Sequence, residues 1–343
     1  MTNASSKGYA VTGRMGLLFC IFFLIACGLG YPILNRYDPR QTPGLFDVRV
    51  YAELVTGSAP ADAGHMRFRV LVPWIARPFY LAARGRVGSW DPAMFALLAA
   101  DSLFVAGTAV LIVILGRRSL GDGATGLAGS LLYLVNFAVP NLRLAGLVDA
   151  GEGFFLLLLL FCLSEEKLWP LPAIGICGAL TKESFIPFSM ALTLGWWLSR
   201  MRFGDGEHAG NSRLKAAAWI AAGWLVSVAT VIALQSTISG HFASPLQFGL
   251  ALHRGHDYAA HMANSLADRN LWYVFLWLLP AAIPNLKRLP KSWGISLGAA
   301  CAMAFVLDAY FGGVPGTLGR ALFSIVGPAL SLSAAMLLLR ICS

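Results

Sequence analysis

The chain has 343 residues, of which 57% are hydrophobic and only 13% charged, with a formal net charge of +9. Soluble domains carry about 25% charged residues, so a water-soluble enzyme, a disordered chain and a small disulfide scaffold are excluded. The 26 Lys and Arg residues are scattered between apolar runs and make no basic stripe that would track nucleic acid. The pattern is that of a polytopic membrane protein whose basic excess sets orientation and contacts anionic membrane lipids.

A hydrocarbon core about 30 Å thick takes roughly 20 apolar residues per helix. Runs bounded by charge or by Pro and Gly are expected at 15–34, 93–115, 124–140, 147–163, 168–181, 185–199, 216–237, 270–284, 293–311 and 321–339. Several are short for a full span and need neighbouring helices, thinning or re-entry. The first follows a tail with Lys7 and Arg14 that resembles a signal-peptide n-region; without a small-residue cleavage site it is expected to be retained. The expected fold class is all-α: a single polytopic transmembrane domain over 1–343 with about ten transmembrane or re-entrant helices, undivided by repeats or low-complexity linkers.

Short loops rich in Lys and Arg stay cytoplasmic. With the N-terminus inside, Arg117, Arg118, Lys167, Arg200, Arg202, Arg213, Lys215, Lys287, Arg288, Lys291 and Arg340 join Lys7 and Arg14 on the inner side. The outer side also receives 13 basic residues, but eight of them sit in 35–92, so the bias holds for the short loops. This alternation needs a turn at Thr181-Lys182-Glu183-Ser184; one continuous helix there would move every later basic loop outside. The expected location is the plasma (inner) membrane with both termini cytoplasmic. Trp74, Trp272, Tyr273 and Trp293 sit at expected boundaries and read as interfacial anchors.

The outer loop 35–92 is too long to be a simple connector. Within it, apolar spacing at Phe46, Val50 and Leu54 predicts a short amphipathic helix lying on the membrane surface. Asp47 and Tyr51 share one of its faces, as do Arg49 and Glu53. The stretch His65 to Tyr80, broken by Pro73 and Pro78, reads as a second interfacial helix whose Arg67, Arg69 and Arg77 snorkel to phosphate level.

Further along, Asp149 and Glu152 mark either a helix start or a contact for sugar or acceptor hydroxyls. Lys182-Glu183, an ionisable pair between two undersized apolar runs, is costly unless it pairs or meets a watery cavity. Asp101 and Asp308 inside expected spans raise the same suspicion. The stretch 239–269, with His241, His253, Arg254, His256, Asp257, His261, Asp268 and Arg269, is a solvated loop or a lid. No His or Cys spacing of a metal site appears and no C-x-x-C occurs; no cofactor is expected, and a divalent metal stays open.

A short tail, a first span, an acidic residue on an outer surface helix and an R-x-L-x-P segment entering the second span together resemble the GT-C class of polytopic glycosyltransferases. The residues carrying the likeness are Asp47 with Tyr51, Arg67 to Pro73, Asp149 with Glu152, Lys182-Glu183 and Gly319-Arg320. A single Asp stands where many members have Asp-Asp, Asp-Glu or Asp-x-Asp. The resemblance implies transfer of a sugar from a polyprenyl-phosphate carrier to a lipid or glycan acceptor on the non-cytoplasmic side. Asp47 would then be the base, with Tyr51, Arg67, Arg69, Asp149, Glu152, Lys182, Glu183 and Arg320 binding substrate. The competing reading is a transporter or lipid flippase with Lys182-Glu183, Asp101 and Asp308 along a charged pathway.

Overall fold

The computed structural model describes residues 4–36, 46–58, 63–88, 90–203, 209–242, 257–311 and 316–342. Among these residues the regular structure is all helical and contains no strand. In chain order the helices are α1 (Ala4–Arg36), α2 (Phe46–Thr56), α3 (Leu71–Ala83), α4 (Pro92–Ser119), α5 (Gly123–Val135), α6 (Asp149–Ser164) and α7 (Leu171–Thr181). They continue with α8 (Phe185–Phe203), α9 (Ala209–Ser239), α10 (Tyr258–Ala267), α11 (Arg269–Phe275), α12 (Leu278–Ala282), α13 (Lys291–Phe311) and α14 (Thr317–Cys342). Single turns of 3-10 helix lie at Gly64–Phe68 and Ile283–Arg288, and one of π-helix at Val139–Arg143.

Local chemistry sets the boundaries. Asp91 caps α4 by accepting from the Ala93 and Met94 amides at 2.7 and 3.3 Å, with Pro92 at the first helical position. Asp122 does the same for α5. That helix stops at Val135 because the buried Asn136 turns the chain. Its Oδ1 accepts from the Ala138 amide and its Nδ2 donates to the Val274 carbonyl at 3.0 Å.

Among the described residues five helices, α1, α4, α9, α13 and α14, are long and apolar enough to cross a bilayer, so the architecture is compatible with a polytopic helical membrane protein. At about 1.5 Å per residue, the 28 residues of α4 reach roughly 42 Å. Burial sorts these helices. The apolar stretches of α4 and α14 are 78% buried at the centre, whereas those of α1, α9 and α13 are 22%, 17% and 28% buried. The outer faces of the latter three present Leu17, Leu24, Leu214, Leu225 and Val306, a distribution that suits surrounding lipid and is unfavourable in water.

Between central helices, small residues let backbones approach. A Cβ at Gly116 would fall 2.4 Å from the Gly126 Cα, and one at Gly195 2.7 Å from the Ser296 Cα. Substitution at either position forces α4 from α5, or α8 from α13.

The chain turns at Lys182-Glu183-Ser184, as the charge alternation requires. Segments expected on the outer side meet one another: Arg69 with Glu183, and Lys182 and Arg320 with Asp149. Those expected on the inner side meet at the other end, where Arg118 pairs with Glu165 and Arg200 with Glu166. Helix α6 separates the two ends, its 16 residues spanning about 24 Å.

Three expectations are corrected. The run 270–284 is not one helix but α11, α12 and a 3-10 turn, because Pro280 and Pro284 lack the amides that would continue it. Trp293 is no interfacial anchor: it is buried, donating from Nε1 to Ser164 Oγ at 2.8 Å, while Trp74, Trp272 and Tyr273 are exposed. Arg69 does not snorkel outward but is buried against Glu183. The surface helix expected around Phe46 to Leu54 is present as α2, with its Arg49–Glu53 pair at 2.9 Å.

Candidate functional site

The site is assembled where the first turn of α6, the α7–α8 turn and the first turn of α14 converge beneath α2 and the 3-10 turn at Gly64–Phe68. Asp149 and Glu152 occupy the first turn of α6, where the helix dipole favours acids. Both are buried, which demands cations. Lys182, just past the end of α7, supplies one. Its Nζ lies 2.8 Å from Asp149 Oδ1 and 3.4 Å from Glu152 Oε2. Arg320 Nη1 approaches Asp149 Oδ2 at 3.5 Å from α14. Ser184 Oγ donates to Glu152 Oε1, and Ser324 Oγ lies 3.5 Å from Glu152 Oε2.

Arg143, unassigned in the sequence reading, is buried behind this group. It donates to the Asp149 carbonyl, to the Arg320 carbonyl at 3.2 Å and to Ser324 Oγ at 2.6 Å, and it lies over the Phe323 ring at 5.5 Å. Gly153 makes room for it: a Cβ there would stand 3.2 Å from Arg143 Nη1. The available signal was an ionisable residue inside an otherwise apolar stretch, which is functional or structural by default. Asp101, fully buried in α4, lies in electrostatic range of Asp149 and Arg143.

Closer to α2, Arg69 grips Glu183 with both arms of its guanidinium. Nε donates to Oε2 at 2.9 Å and Nη2 to Oε1, while Nη1 donates to Tyr51 Oη at 3.1 Å. Glu183 is half-buried, and its partial desolvation alone would raise its pKa, but the Arg69 charge outweighs this and holds the carboxyl down at about 2. Burial pushes the Tyr51 phenol well above its usual range despite Arg69. The phenol therefore stays protonated and, accepting from Arg69, keeps its own hydrogen for another acceptor. His65 Nε2 lies 3.9 Å from Glu183 Oε1; burial and Arg69 lower its pKa, which favours the neutral ring at pH 7.

Asp47 is half-buried on α2, one turn before Tyr51, and its charge is felt at both Tyr51 and His65. Among the described residues no cation pairs with its carboxylate. Arg67 stands apart: its Nη2 donates to Ser239 Oγ at 3.2 Å and its guanidinium covers the Phe68 ring at 4.8 Å. A small cleft of about 10 Å³, lined by His65, Phe68, Ala179, Glu183, Leu234 and Gln235, lies between α7 and α9.

The structure thus gathers Tyr51, Arg69, Asp149, Glu152, Lys182, Glu183 and Arg320, with Asp47 beside them, and leaves Arg67 on the flank. Asp308 belongs to a different contact, accepting from Thr317 Oγ1 at 3.0 Å. His253, Arg254 and His256 of the expected lid lie outside the described residues. Among those described, no group of three or more His, Cys, Asp or Glu is placed to hold a metal ion. Comparison with protein-family models and with curated proteins gives no match, so function rests on these side chains.

Proposed function

We propose that the chain is a membrane glycosyltransferase of GT-C type that takes a sugar from a polyprenyl-phosphate carrier and passes it to a lipid or glycan acceptor. The observation that carries the reading is the juxtaposition of a carboxylate without a cationic partner among the described residues, Asp47, with a cluster holding four cations against three carboxylates. Arg69, Arg143, Lys182 and Arg320 stand among Asp149, Glu152 and Glu183. Arg69, Lys182 and Arg320 keep part of their surface accessible.

In this reading Asp47 takes the proton from the acceptor hydroxyl as its oxygen bonds to the anomeric carbon. The bond from that carbon to the carrier phosphate breaks, and Arg69, Lys182 and Arg320 stabilise the charge on the departing phosphate. Tyr51 has a hydroxyl hydrogen to offer a sugar or phosphate oxygen. The site faces the non-cytoplasmic side of the plasma membrane, and both termini lie in the cytoplasm, because the short basic loops gather at the opposite end.

The test is transfer from radiolabelled polyprenyl-phosphate sugars in membranes containing the wild-type chain or Asp47→Asn. The variant should fold normally and lose about 10²- to 10⁴-fold in rate. Undiminished transfer removes Asp47 as the base. Absence of transfer with every donor, together with movement of labelled lipid between leaflets, establishes the transporter instead. Thiol labelling of Ser58→Cys from the outside only is the expected topology result.

A further inference from the structure

Arg143 is only 1% exposed, whereas the side chains of Lys182 and Arg320 keep 15% and 17% of their surface accessible. Whatever it does for a ligand must therefore pass through other residues. A single π turn, Val139–Arg143, closed by the Leu144 amide on the Val139 carbonyl at 2.9 Å, delivers its side chain between the first turns of α6 and α14. There Nη1 donates to the carbonyl of Asp149, and Nη2 to the carbonyl of Arg320 at 3.2 Å and to Ser324 Oγ at 2.6 Å.

These acceptors are neutral, and two of them are main-chain atoms of the residues whose side chains make the contact between Arg320 Nη1 and Asp149 Oδ2 at 3.5 Å. A guanidinium can hold both helix starts because its two terminal nitrogens serve separate acceptors from one rigid plane, which a lysine ammonium on its flexible stem does not reproduce. The plane has little freedom to shift. The Phe323 ring lies 5.5 Å from Cζ and is itself stacked on Tyr133 at 5.4 Å and 8°. On α6, a Cβ at Gly153 would stand 3.2, 3.5 and 3.6 Å from Nη1, Cζ and Nη2. Ser324 Oγ also donates to the Arg320 carbonyl at 3.0 Å, so the same turn of α14 is fastened twice.

We propose that Arg143 is a positioning residue: without contacting substrate, it sets the separation and aim of Arg320 and Asp149 by fastening the start of α14 to the start of α6. The role rests on the transfer reading above, in which Arg320 stabilises the departing phosphate. A cation displaced by a fraction of an ångström still attracts the anion in the ground state but meets the transition state less well. The loss on disturbing Arg143 therefore falls on kcat and not on KM.

The test compares Arg143→Lys and Gly153→Ala in steady-state transfer by the purified full chain. Arg143→Lys keeps the charge and should lower kcat about 10- to 100-fold, with KM within about twofold of wild type. Gly153→Ala keeps the guanidinium but crowds it, and kcat should fall several-fold, again with KM held. Gly298→Ala on α13, whose Cβ meets nothing within 4 Å, is the control and should match wild type. Wild-type kcat in either variant, or a rise in KM with kcat intact, overturns the positioning role; should Arg143→Lys not fold, Gly153→Ala decides it. Hydrogen exchange on peptides covering the first turns of α6 and α14 reads the tie without any substrate. Arg143→Lys should speed exchange in both, and unchanged exchange in either overturns the proposal. A wild type that transfers from no donor sinks the transfer reading instead, and the tie is then judged by exchange alone.

Discussion

The chain builds the same forked Arg–Glu pair at each of its two ends, and the surroundings make them different devices. Arg69 and Glu183 have side chains 10% and 27% exposed, whereas Arg200 and Glu166 are 33% and 60% exposed. Removing charges from water is costly unless every lone pair and proton finds a partner. The first pair meets part of that demand with Tyr51 on the guanidinium, and His65 stands 3.9 Å from the carboxylate. It fixes the outer loop to the α7–α8 turn. The second has water as an alternative partner for both groups, so it opens at little cost.

The largest break in this contrast comes from Lys182→Met, which leaves Asp149 and Glu152 without the ammonium between them. Breaking a buried pair from one side costs about 3–5 kcal/mol, and the denaturation midpoint of the detergent-solubilised chain should fall accordingly. Somewhat smaller is Arg69→Gln, expected to cost about 3 kcal/mol, against a change within about 1 kcal/mol for Arg200→Gln. Equal losses from these two variants would show that burial does not distinguish the ends.

Acid sharpens the same difference. Glu183 titrates at about 2 in the folded chain against an ordinary 4.5. Its stabilising contribution is complete above about pH 4.5 and declines as pH falls toward 2. Melting temperatures taken between pH 6 and pH 3 should fall more steeply for wild type than for Glu183→Gln. The smallest effect belongs to Glu166→Gly, at a backbone φ of 54°. Relief of the left-handed strain gains about 1 kcal/mol, offset by loss of an exposed ion pair worth 0–1 kcal/mol, so the midpoint should move very little.

Much of the fold was legible because apolar runs and the charges between them obey simple rules. Lys182-Glu183 was recognisable as a turn because only a reversal there keeps the basic loops together, and α2 was visible from the spacing of Phe46, Val50 and Leu54. Hydropathy concealed the break at Pro280 and Pro284, since averaging over a window hides missing amides. Arg69 was misread because a side chain of that length reaches either the headgroups or the interior, and the Glu183 that decides the matter lies 114 residues away. Arg143 escaped notice for a related reason: two of its hydrogen-bond acceptors are supplied by α14.

The position of those acceptors bears on biosynthesis. Arg143 and Asp149 emerge from the ribosome 171 to 181 residues ahead of Arg320 and Ser324, which complete their network. Until α14 inserts, a growing chain therefore holds Arg143 without two of its three hydrogen-bond acceptors, and Asp149 with Lys182 but without Arg320. Water has to take the vacant places in the interval, so a nascent chain stalled ahead of α14 should be more open to proteases around the start of α6 than one that carries that helix.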